Sequence, residues 1–214
     1  MRLGFLAALF CAAQLIPAAS ISYTSSSAFL AAASAPADDF RNFTNGQNIS
    51  SGETALDGLT YSAFVLTLGA TQLDITNLYN SFSGLSLGAN HLTQGSNQTF
   101  FYGGEGATVS FGIPITAFGI FFNVNPNSGT FGFSTSAGSA STGSASYDTS
   151  TFVFAGLTST TPFSSITFSS TGGSAVYNVP EYLIGYTSGP EPATFGITLA
   201  GALLLAARAR LRRN

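Results

Sequence analysis

The residue with the widest range of possible chemistry in this sequence is its single histidine, His91. A serine hydrolase needs an imidazole as general base, held by a carboxylate, so any Ser–His–Asp arrangement would have to use His91. The histidine occurs in "GANHLTQGSNQ", a polar segment without the glycine-flanked serine of a nucleophile elbow. We therefore expect His91 to be a solvated loop residue and not a catalytic base.

Carboxylates offer two further kinds of chemistry, glycoside hydrolysis and calcium binding. Hydrolysis needs two carboxyl groups on either side of the scissile bond, but the acids of this chain are scattered along it. Calcium takes oxygen ligands and could bind near Asp38 and Asp39 or near Asp57. A zinc site is excluded, because the chain has one histidine and one cysteine. The sequence thus predicts no catalytic residue and no required cofactor, and it leaves calcium open.

Charge is scarce in the chain and unevenly placed. Charged residues make up 7% of the sequence, and lysine is absent. Between the two apolar ends Arg41 is the one basic residue, and it stands against eight acids, so this part carries a net charge of about −7 although the whole chain sums to −3. Such a surface has nothing to neutralise phosphates, and nucleic-acid binding is therefore not expected.

The N-terminal end, "MRLGFLAALFCAAQLIPAAS", has the layout of a secretory signal peptide over residues 1–20. Arg2 is followed by an apolar stretch from Leu3 to Ile16 and then by small residues. A stretch of about 14 residues is too short for a comfortable membrane span. An uncleaved anchor or a buried core helix remains the alternative.

Small residues near this end also indicate where the signal peptide is cut. Ala18 and Ser20 occupy the two positions that favour small residues, so cleavage after Ser20 is the first choice. Cleavage after Ala33 or Ala35 is the second. The only cysteine, Cys11, lies inside the signal, so the mature domain has to fold without disulfides.

The C-terminal end has the reverse order, an apolar run followed by positive charge. The uncharged run Ala193–Ala207 would measure about 22 Å as a helix, against a hydrocarbon core of about 30 Å, and could span it if the bilayer thins. Residues 208–214 follow as a basic tail. Because basic residues stay on the cytoplasmic side, this tail is expected inside and the preceding chain outside. The basic residues of the tail are Arg208, Arg210, Arg212 and Arg213.

Immediately before the apolar run stands the tripeptide Pro190-Glu191-Pro192. The order of motif, short apolar helix, arginine cluster and chain end resembles the PEP-CTERM sorting signal over about 25 residues. The resemblance implies a protein exported by a Gram-negative bacterium that makes exopolysaccharide. It also implies processing by an exosortase, with Pro190, Glu191 and Pro192 as the recognition motif and the arginines as the retention signal. Gly189 stands where the family often has valine, a mild departure.

The middle of the chain, residues 36–188, alternates apolar and polar residues with a period of two, which predicts strands. Around ten short strands separated by turn residues such as Thr161-Pro162 favour an antiparallel β-sandwich, of jelly-roll type, over residues 21–185. The predicted inward-facing sets are Phe118, Ile120, Phe122 and Val124; Phe131 and Phe133; Phe152 and Phe154; Ile166 and Phe168; and Tyr182, Ile184 and Tyr186.

Two segments of this region have other roles. The low-complexity stretch Ser136–Ser150 is interpreted as a loop between strands, with a linker as the alternative. Residues 186–192 form a spacer that ends in the Pro-Glu-Pro motif.

The strands "ITAFGIFF", "TPFSSITF" and "AVYNV" are loosely similar to sandwich domains often found ahead of this sorting signal. The resemblance covers about 70 residues, Ile115 to Tyr186. The aspartate that those domains carry in the last strand is Asn178 here, so any calcium role of that carboxylate is not carried over.

These observations lead to three hypotheses of function. The first is a non-enzymatic surface or matrix protein, sorted by an exosortase after passing the export machinery and associated with exopolysaccharide or biofilm. The second is a carbohydrate-binding module that uses exposed aromatic side chains, although the chain has no tryptophan. The third, a secreted hydrolase, is weakened by the single histidine. The aromatic candidates for the second hypothesis are Tyr79, Tyr102, Tyr147 and Tyr182.

Overall fold

The protein is an all-β sandwich with one short helix in the part that its structure, a computed structural model, describes. The described residues are 19–33, 37–38, 46–67, 69–78, 90–95, 100–124, 129–144, 151–171 and 176–185. The elements are β1 (Ser20–Tyr23), α1 (Ser26–Ala32), β2 (Ala37–Asp38), β3 (Gln47–Ser50), β4 (Glu53–Thr54), β5 (Thr60–Val65), β6 (Gln72–Thr76), β7 (His91–Gln94), β8 (Phe101–Tyr102), β9 (Gly106–Val124), β10 (Thr130–Thr135), β11 (Gly138–Ser141), β12 (Thr151–Thr171) and β13 (Val176–Gly185).

The two long strands β9 and β12 pair antiparallel and run through both layers of the sandwich. Residues 151–158 of β12 pair with 117–124 of β9, and residues 165–169 pair with 106–110. Between these stretches the register shifts on either side of Phe163, where the sequence has Thr161-Pro162. The sequence predicted a break at this proline, but the chain bends there and continues as one strand. Proline is tolerated at such irregular positions, because no ladder hydrogen bond is required of it there.

Each half of the β9–β12 pair is the centre of one layer. The first layer has the order β1–β12–β9–β13, and β13 also pairs with β2, β7 and β8. The second layer has the order β11–β10–β12–β9–β5–β4. The small meander β3–β6–β7 extends the first layer beyond β13. All of these pairings are antiparallel, as predicted, while the jelly-roll order of strands stays a prediction.

Aromatic rings from the two layers meet in the main core. Phe118 of the first layer lies 5.1 Å from Phe133 of the second, measured between ring centroids, and Tyr177 lies 5.4 Å from Phe131. The predicted inward set on β9 is confirmed, since all four of its side chains are at most 1% exposed. Each buried ring contributes about 2–3 kcal/mol, which a domain with few charges requires. Confirmed as well are Phe131, Phe133, Ile166, Phe168, Tyr182 and Ile184, and Tyr186 lies outside the described residues.

The predicted inward direction of Phe152 is wrong, and Phe154 is buried as predicted, but in a second cluster and not in the main core. In the register of β12 with β9, Val153 lies opposite the core residue Phe122, so the even-numbered phenylalanines face away from the main core. Phe154 is nevertheless 5% exposed, because α1 covers it, whereas Phe152 is 55% exposed. Alternation shows which residues share a face but not which face is buried, and that ambiguity is the physical reason for the error.

Helix α1 closes a second, smaller apolar cluster on the outer face of the first layer. Ser25 caps the helix by accepting a hydrogen bond from the Ala28 backbone amide at 3.4 Å, and Phe29 is completely buried. The Phe29 ring lies 5.5 Å from that of Phe154. A Cβ atom at Gly156 would come within 2.8 Å of both rings, so glycine is needed for this close packing. The other buried members of the cluster are Ala33, Ala117 and Leu183.

The low-complexity segment is a loop only in part. Ser136 and Ala137 form a turn, and β11 follows as a strand that pairs with β10, while residues 145–150 lie outside the described ranges. Small polar residues can form an edge strand of this kind when a turn fixes the register.

Both ends of the chain lie largely outside the described ranges. The predicted signal peptide is described only at Ala19 and Ser20, and residues 186–214, with the sorting motif and the arginine tail, are not described. In the described ranges, no helix has the length and apolar character to cross a membrane.

Candidate functional site

His91 is not the solvated loop residue that the sequence predicted. It begins β7, is 2% exposed, and pairs in register with Thr76 of β6. Its segment is polar in sequence, but β7 lies between β6 and β13, and such an interior position buries even polar side chains. The imidazole is therefore enclosed by the protein and does not line an open surface.

The acids near the predicted calcium positions are engaged in local structure. Asp57 accepts hydrogen bonds from the Leu59 backbone amide at 2.9 Å and from the Tyr61 hydroxyl at 2.8 Å, so both carboxylate oxygens hold the turn before β5. Only the backbone of Asp38 is described, and Asp39 lies outside the described residues. No group of three or more histidine, cysteine or acidic side chains that could hold a metal ion occurs among the described residues.

Glu105 is the most deeply buried acid of the described chain, at 1% exposed. Its carboxylate accepts hydrogen bonds from the Thr67 amide at 2.6 Å, from the Thr67 hydroxyl, and from the Tyr102 amide at 2.5 Å. Its backbone carbonyl accepts a hydrogen bond from the Tyr177 hydroxyl. This carboxylate ties the chain before β9 to β8 and to the segment after β5, and we assign it a structural role.

The tyrosines proposed for glycan binding are not exposed where the structure describes them. Tyr182 is 1% exposed in the main core, and burial raises the pKa of its hydroxyl well above the usual value, with the Asp57 charge adding to the shift. Its candidacy was wrong, because β13 is an interior strand and Tyr182 faces the second layer. Tyr102 is half-buried with its ring 5.0 Å from that of Phe100. Tyr79 and Tyr147 lie outside the described residues.

A polar patch that the sequence did not indicate lies on the β3–β6–β7 meander. Asp74 stands between Asn48 of β3 and Thr93 of β7 in register. Burial raises the pKa of the Asp74 carboxyl, and a backbone hydrogen bond from Ile75 opposes the shift. Thr93 is fully buried, and its hydroxyl has no hydrogen-bond partner among the described groups. The patch is thus closed at Thr93 and open to solvent at Asn48, with Asp74 half-buried between them.

An open groove with a volume of about 430 Å³ lies on the outer face of the first layer, beside the start of α1. Its floor is aromatic, and its rim carries hydroxyl groups. The lining residues are Thr24, Ser25, Ser26, Phe121, Thr142, Phe152, Val153 and Phe154.

The aromatic floor results from the register of β9 with β12. Phe121 pairs directly with Phe154, and their ring centroids are 4.9 Å apart at a tilt of 56°. Phe154 is held from the other side by Phe29, whereas Phe152, two residues earlier, is open to solvent. An exposed ring beside two supported rings forms an apolar surface that a ligand can cover.

The rim hydroxyls are held by the backbone around them. Thr142 accepts a hydrogen bond from the Phe131 amide at 3.2 Å and donates one to the Gly143 carbonyl at 3.0 Å. Ser25 is fixed by its helix cap and by a hydrogen bond of 2.9 Å with the Ser27 hydroxyl. Among the described residues, none of those that line the groove carries a charged side chain. The described lining therefore consists of aromatic rings, one aliphatic side chain and hydroxyl groups.

Comparisons with known proteins give little beyond this geometry. No protein family matches the chain, and no characterised protein does. Among solved structures, the CBM22-1 xylan-binding domain of Xyn10C from Paenibacillus barcinonensis aligns with a TM-score of 0.37 and 14% identity, covering 72% of this chain and 98% of that domain. Similarity at this level carries no conclusion about the site.

Proposed function

We propose that this chain is an exported, non-enzymatic surface or matrix protein whose sandwich binds neutral polysaccharide in the open groove. The observation that carries the binding half is the exposed ring of Phe152 in the same groove lining as the supported rings of Phe121 and Phe154, together with hydroxyl groups. This arrangement favours the carbohydrate-binding alternative of the sequence analysis, but at phenylalanines and not at the tyrosines named there.

The chemistry of the groove matches that of a sugar chain. A sugar ring has apolar C–H faces that can cover an aromatic ring, and its hydroxyls can exchange hydrogen bonds with serine and threonine. Binding sites of this kind combine an apolar lining with a few polar groups that fix orientation. None of the described lining residues is charged, and the part of the chain between the two apolar ends has one basic residue against eight acids, which disfavours an anionic polymer. A neutral polysaccharide is therefore the ligand class we propose.

The export half of the proposal is supported by sequence alone. The signal-like N-terminus, the motif Pro190-Glu191-Pro192, the apolar run Ala193–Ala207 and the arginine tail form one continuous pattern. Under this proposal the chain is first held in the inner membrane of a Gram-negative bacterium by its C-terminal helix, with the tail in the cytoplasm. An exosortase then processes it at the motif, and the sandwich reaches the cell surface or the extracellular matrix.

Binding is tested by retention of the purified protein on insoluble neutral polysaccharides, with Phe152→Ala as the variant. We expect the substitution to weaken binding at least tenfold, which corresponds to about 1.4 kcal/mol. Leu56→Ala is the matched control, since Leu56 is also an exposed apolar residue, at 70%, but lies outside the groove. If Phe152→Ala and Leu56→Ala bind as tightly as the wild type, the groove is not the binding site.

Sorting is tested separately, by mass spectrometry of the C-terminal peptide in strains with and without the exosortase. Glu191→Ala should leave export and membrane insertion intact but block processing, so the full-length precursor accumulates. Replacing the four tail arginines by serine removes the positive-inside signal, and the protein should be released unsorted. Wild-type protein that keeps Asn214 in both strains would show that the tail is only an anchor.

A further inference from the structure

The outward side of the second layer carries hydroxyl groups that are aligned across its strands. Phe131 and Phe133 of β10 are buried in the main core, so Gly132 and Ser134 point away from it. The same alternation applies on the neighbouring strands, and the register aligns one hydroxyl group from each of five strands. In the order β5, β9, β12, β10 and β11 this set, which we name the hydroxyl row, is Ser62, Thr108, Thr167, Ser134 and Ser139.

A shallow groove, which we name the trough, lies beside the hydroxyl row on β12, β10 and β11. The next row of the register consists of Gly106, Ser169, Gly132 and Ser141, so every second position has no side chain. The trough has a volume of about 240 Å³, and seven of its ten described lining residues carry hydroxyl groups. None of the ten is charged, so the trough suits a neutral polar ligand. The lining residues without hydroxyl groups are Gly132, Phe133 and Ala140.

The hydroxyl groups of the trough face solvent and lie on a rigid support. Ser134, Ser139, Ser141 and Thr167 are exposed, and the Thr167 hydroxyl shares a hydrogen bond of 2.8 Å with the Thr108 hydroxyl. A hydroxyl group both donates and accepts hydrogen bonds, as the hydroxyls of a sugar do. Because water competes for each contact, one hydroxyl contributes little, and binding requires several of them together.

The trough and the open groove meet at the end of β11. Ser141 lines the trough, and the next residue, Thr142, lines the open groove. Successive side chains of an extended chain point to opposite faces, and Thr142 keeps the alignment through two hydrogen bonds with the Phe131 backbone. β11 is the last strand of its layer, so the two sites lie on the two sides of one edge strand. A polymer that leaves the open groove at Thr142 has to pass over a single strand to reach the trough.

From this continuity we infer that one polysaccharide chain occupies the open groove and continues over β11 into the trough; this rests on the binding part of the proposed function. The open groove supplies the aromatic contacts, and the trough supplies hydrogen bonds to the sugar hydroxyls. Once the open groove holds the chain, the contact with the trough is intramolecular. It therefore raises the affinity without having to be strong by itself.

The inference is tested by the dependence of affinity on chain length, measured by isothermal titration calorimetry. The probes are size-fractionated oligosaccharides from whichever of cellulose, starch and mannan retains the wild-type protein. We expect the wild-type affinity to rise by about tenfold once the oligosaccharide is long enough to reach the trough. A trough variant with Ser134→Ala, Ser141→Ala and Thr167→Val should bind short oligosaccharides as the wild type does and should lose this rise.

A matched control variant removes three exposed hydroxyl groups that line neither the open groove nor the trough. It carries Ser22→Ala, Thr161→Val and Ser164→Ala, and we expect it to keep the rise in affinity with length. Both triple variants should keep their thermal midpoints within about 3 °C of the wild type, because the substitutions are at the surface. A loss of affinity in the trough variant alone is then not a loss of fold.

Three results would overturn the inference while leaving binding in the open groove intact. The first is an affinity that rises equally with length in the wild type and in the trough variant. The second is two short oligosaccharides bound per protein, which would show two separate sites. The third is a wild-type dimer in sedimentation that the trough variant loses, which would identify a second copy of this chain as the occupant of the trough. If none of the polysaccharides retains the wild type, or Phe152→Ala binds short oligosaccharides unchanged, the proposed function itself fails.

Discussion

Phenylalanines on neighbouring strands of this protein have opposite environments, and those environments set their roles. Phe122 of β9 is completely buried, whereas Phe152 of β12 lies diagonally beside it, on the other face of the sheet. The buried ring stabilises the fold, and the exposed ring is free to contact a ligand. Substituting each by alanine separates the two roles experimentally.

We predict that Phe122→Ala destabilises the sandwich by about 3–5 kcal/mol, because a fully buried ring is replaced by a cavity. Phe152→Ala should change the free energy of unfolding by less than about 0.5 kcal/mol, as surface substitutions usually do. Denaturant unfolding of both variants, followed by circular dichroism, measures the difference. Comparable destabilisation by the two substitutions would show that the two faces of the first layer are assigned incorrectly.

At the residue scale, the sequence predicted burial well where apolar residues alternate and poorly where polar residues are buried. The inward set from Phe118 to Val124 was evident from its period of two. The burial of His91 and Thr93 was not, because a polar strand in the interior of a sheet has the composition of a loop. The position of β7 beside β13 decides their environment, and that pairing joins distant parts of the chain.

At the scale of the strand, the crowding between β9 and β12 is tightest where the two backbones meet at Gly106. A Cβ atom at Gly106 would lie 1.9 Å from the Phe168 carbonyl oxygen, whereas one at Gly112 of the same strand would meet nothing within 4 Å. The atom nearest to this Cβ belongs to the backbone of Phe168, so rotation of a side chain cannot relieve the clash.

Gly106→Ala should therefore destabilise the protein by about 3 kcal/mol or more, the upper end for overpacked sites. Gly112→Ala should be neutral, or stabilising by up to about 1 kcal/mol, since it only reduces the freedom of the unfolded chain. Thermal unfolding of the pair is the measurement. A neutral Gly106→Ala would mean that β9 and β12 can move apart at this point without cost.

At the same scale, the strands were predictable from the sequence, but the helix that covers the outer face of the first layer was not. Alternation located β9, β10, β12 and β13, and the proline of Thr161-Pro162 marked the bend. Helix α1 was missed, because its small residues "SSAFLAA" stand next to the small residues of the predicted signal peptide. The groove was missed with it, since α1 supplies part of the rim and covers Phe154.

For the whole molecule, three buried tyrosines predict the response to alkaline pH. Burial raises the pKa of the Tyr61, Tyr177 and Tyr182 hydroxyls well above the usual value of about 10. In the unfolded chain these hydroxyls lose their protons near pH 10, whereas in the folded protein they keep them to higher pH. The free energy of unfolding is therefore retained below about pH 10 and falls as the pH rises further.

We therefore predict that the thermal midpoint falls steeply above about pH 10, and that tyrosine ionisation, followed by ultraviolet absorbance, coincides with loss of the sheet signal. Tyr177→Phe should reduce this pH dependence, because it removes one of the three buried ionisable hydroxyls. Complete tyrosine ionisation in a protein that stays folded would show that these hydroxyls are accessible to solvent.

The placement of β13 determines how the molecule resists tension. Its two edges pair with β9 on one side and with β2, β7 and β8 on the other, and the chain leaves it at Gly185 toward the proposed membrane anchor. A force applied at Gly185 along the strand loads all the hydrogen bonds of β13 at the same time. An edge strand that is peeled away would instead lose its hydrogen bonds one after another. While the precursor is still anchored by its tail and its groove holds polysaccharide, the rate of forced unfolding decides how long that link lasts.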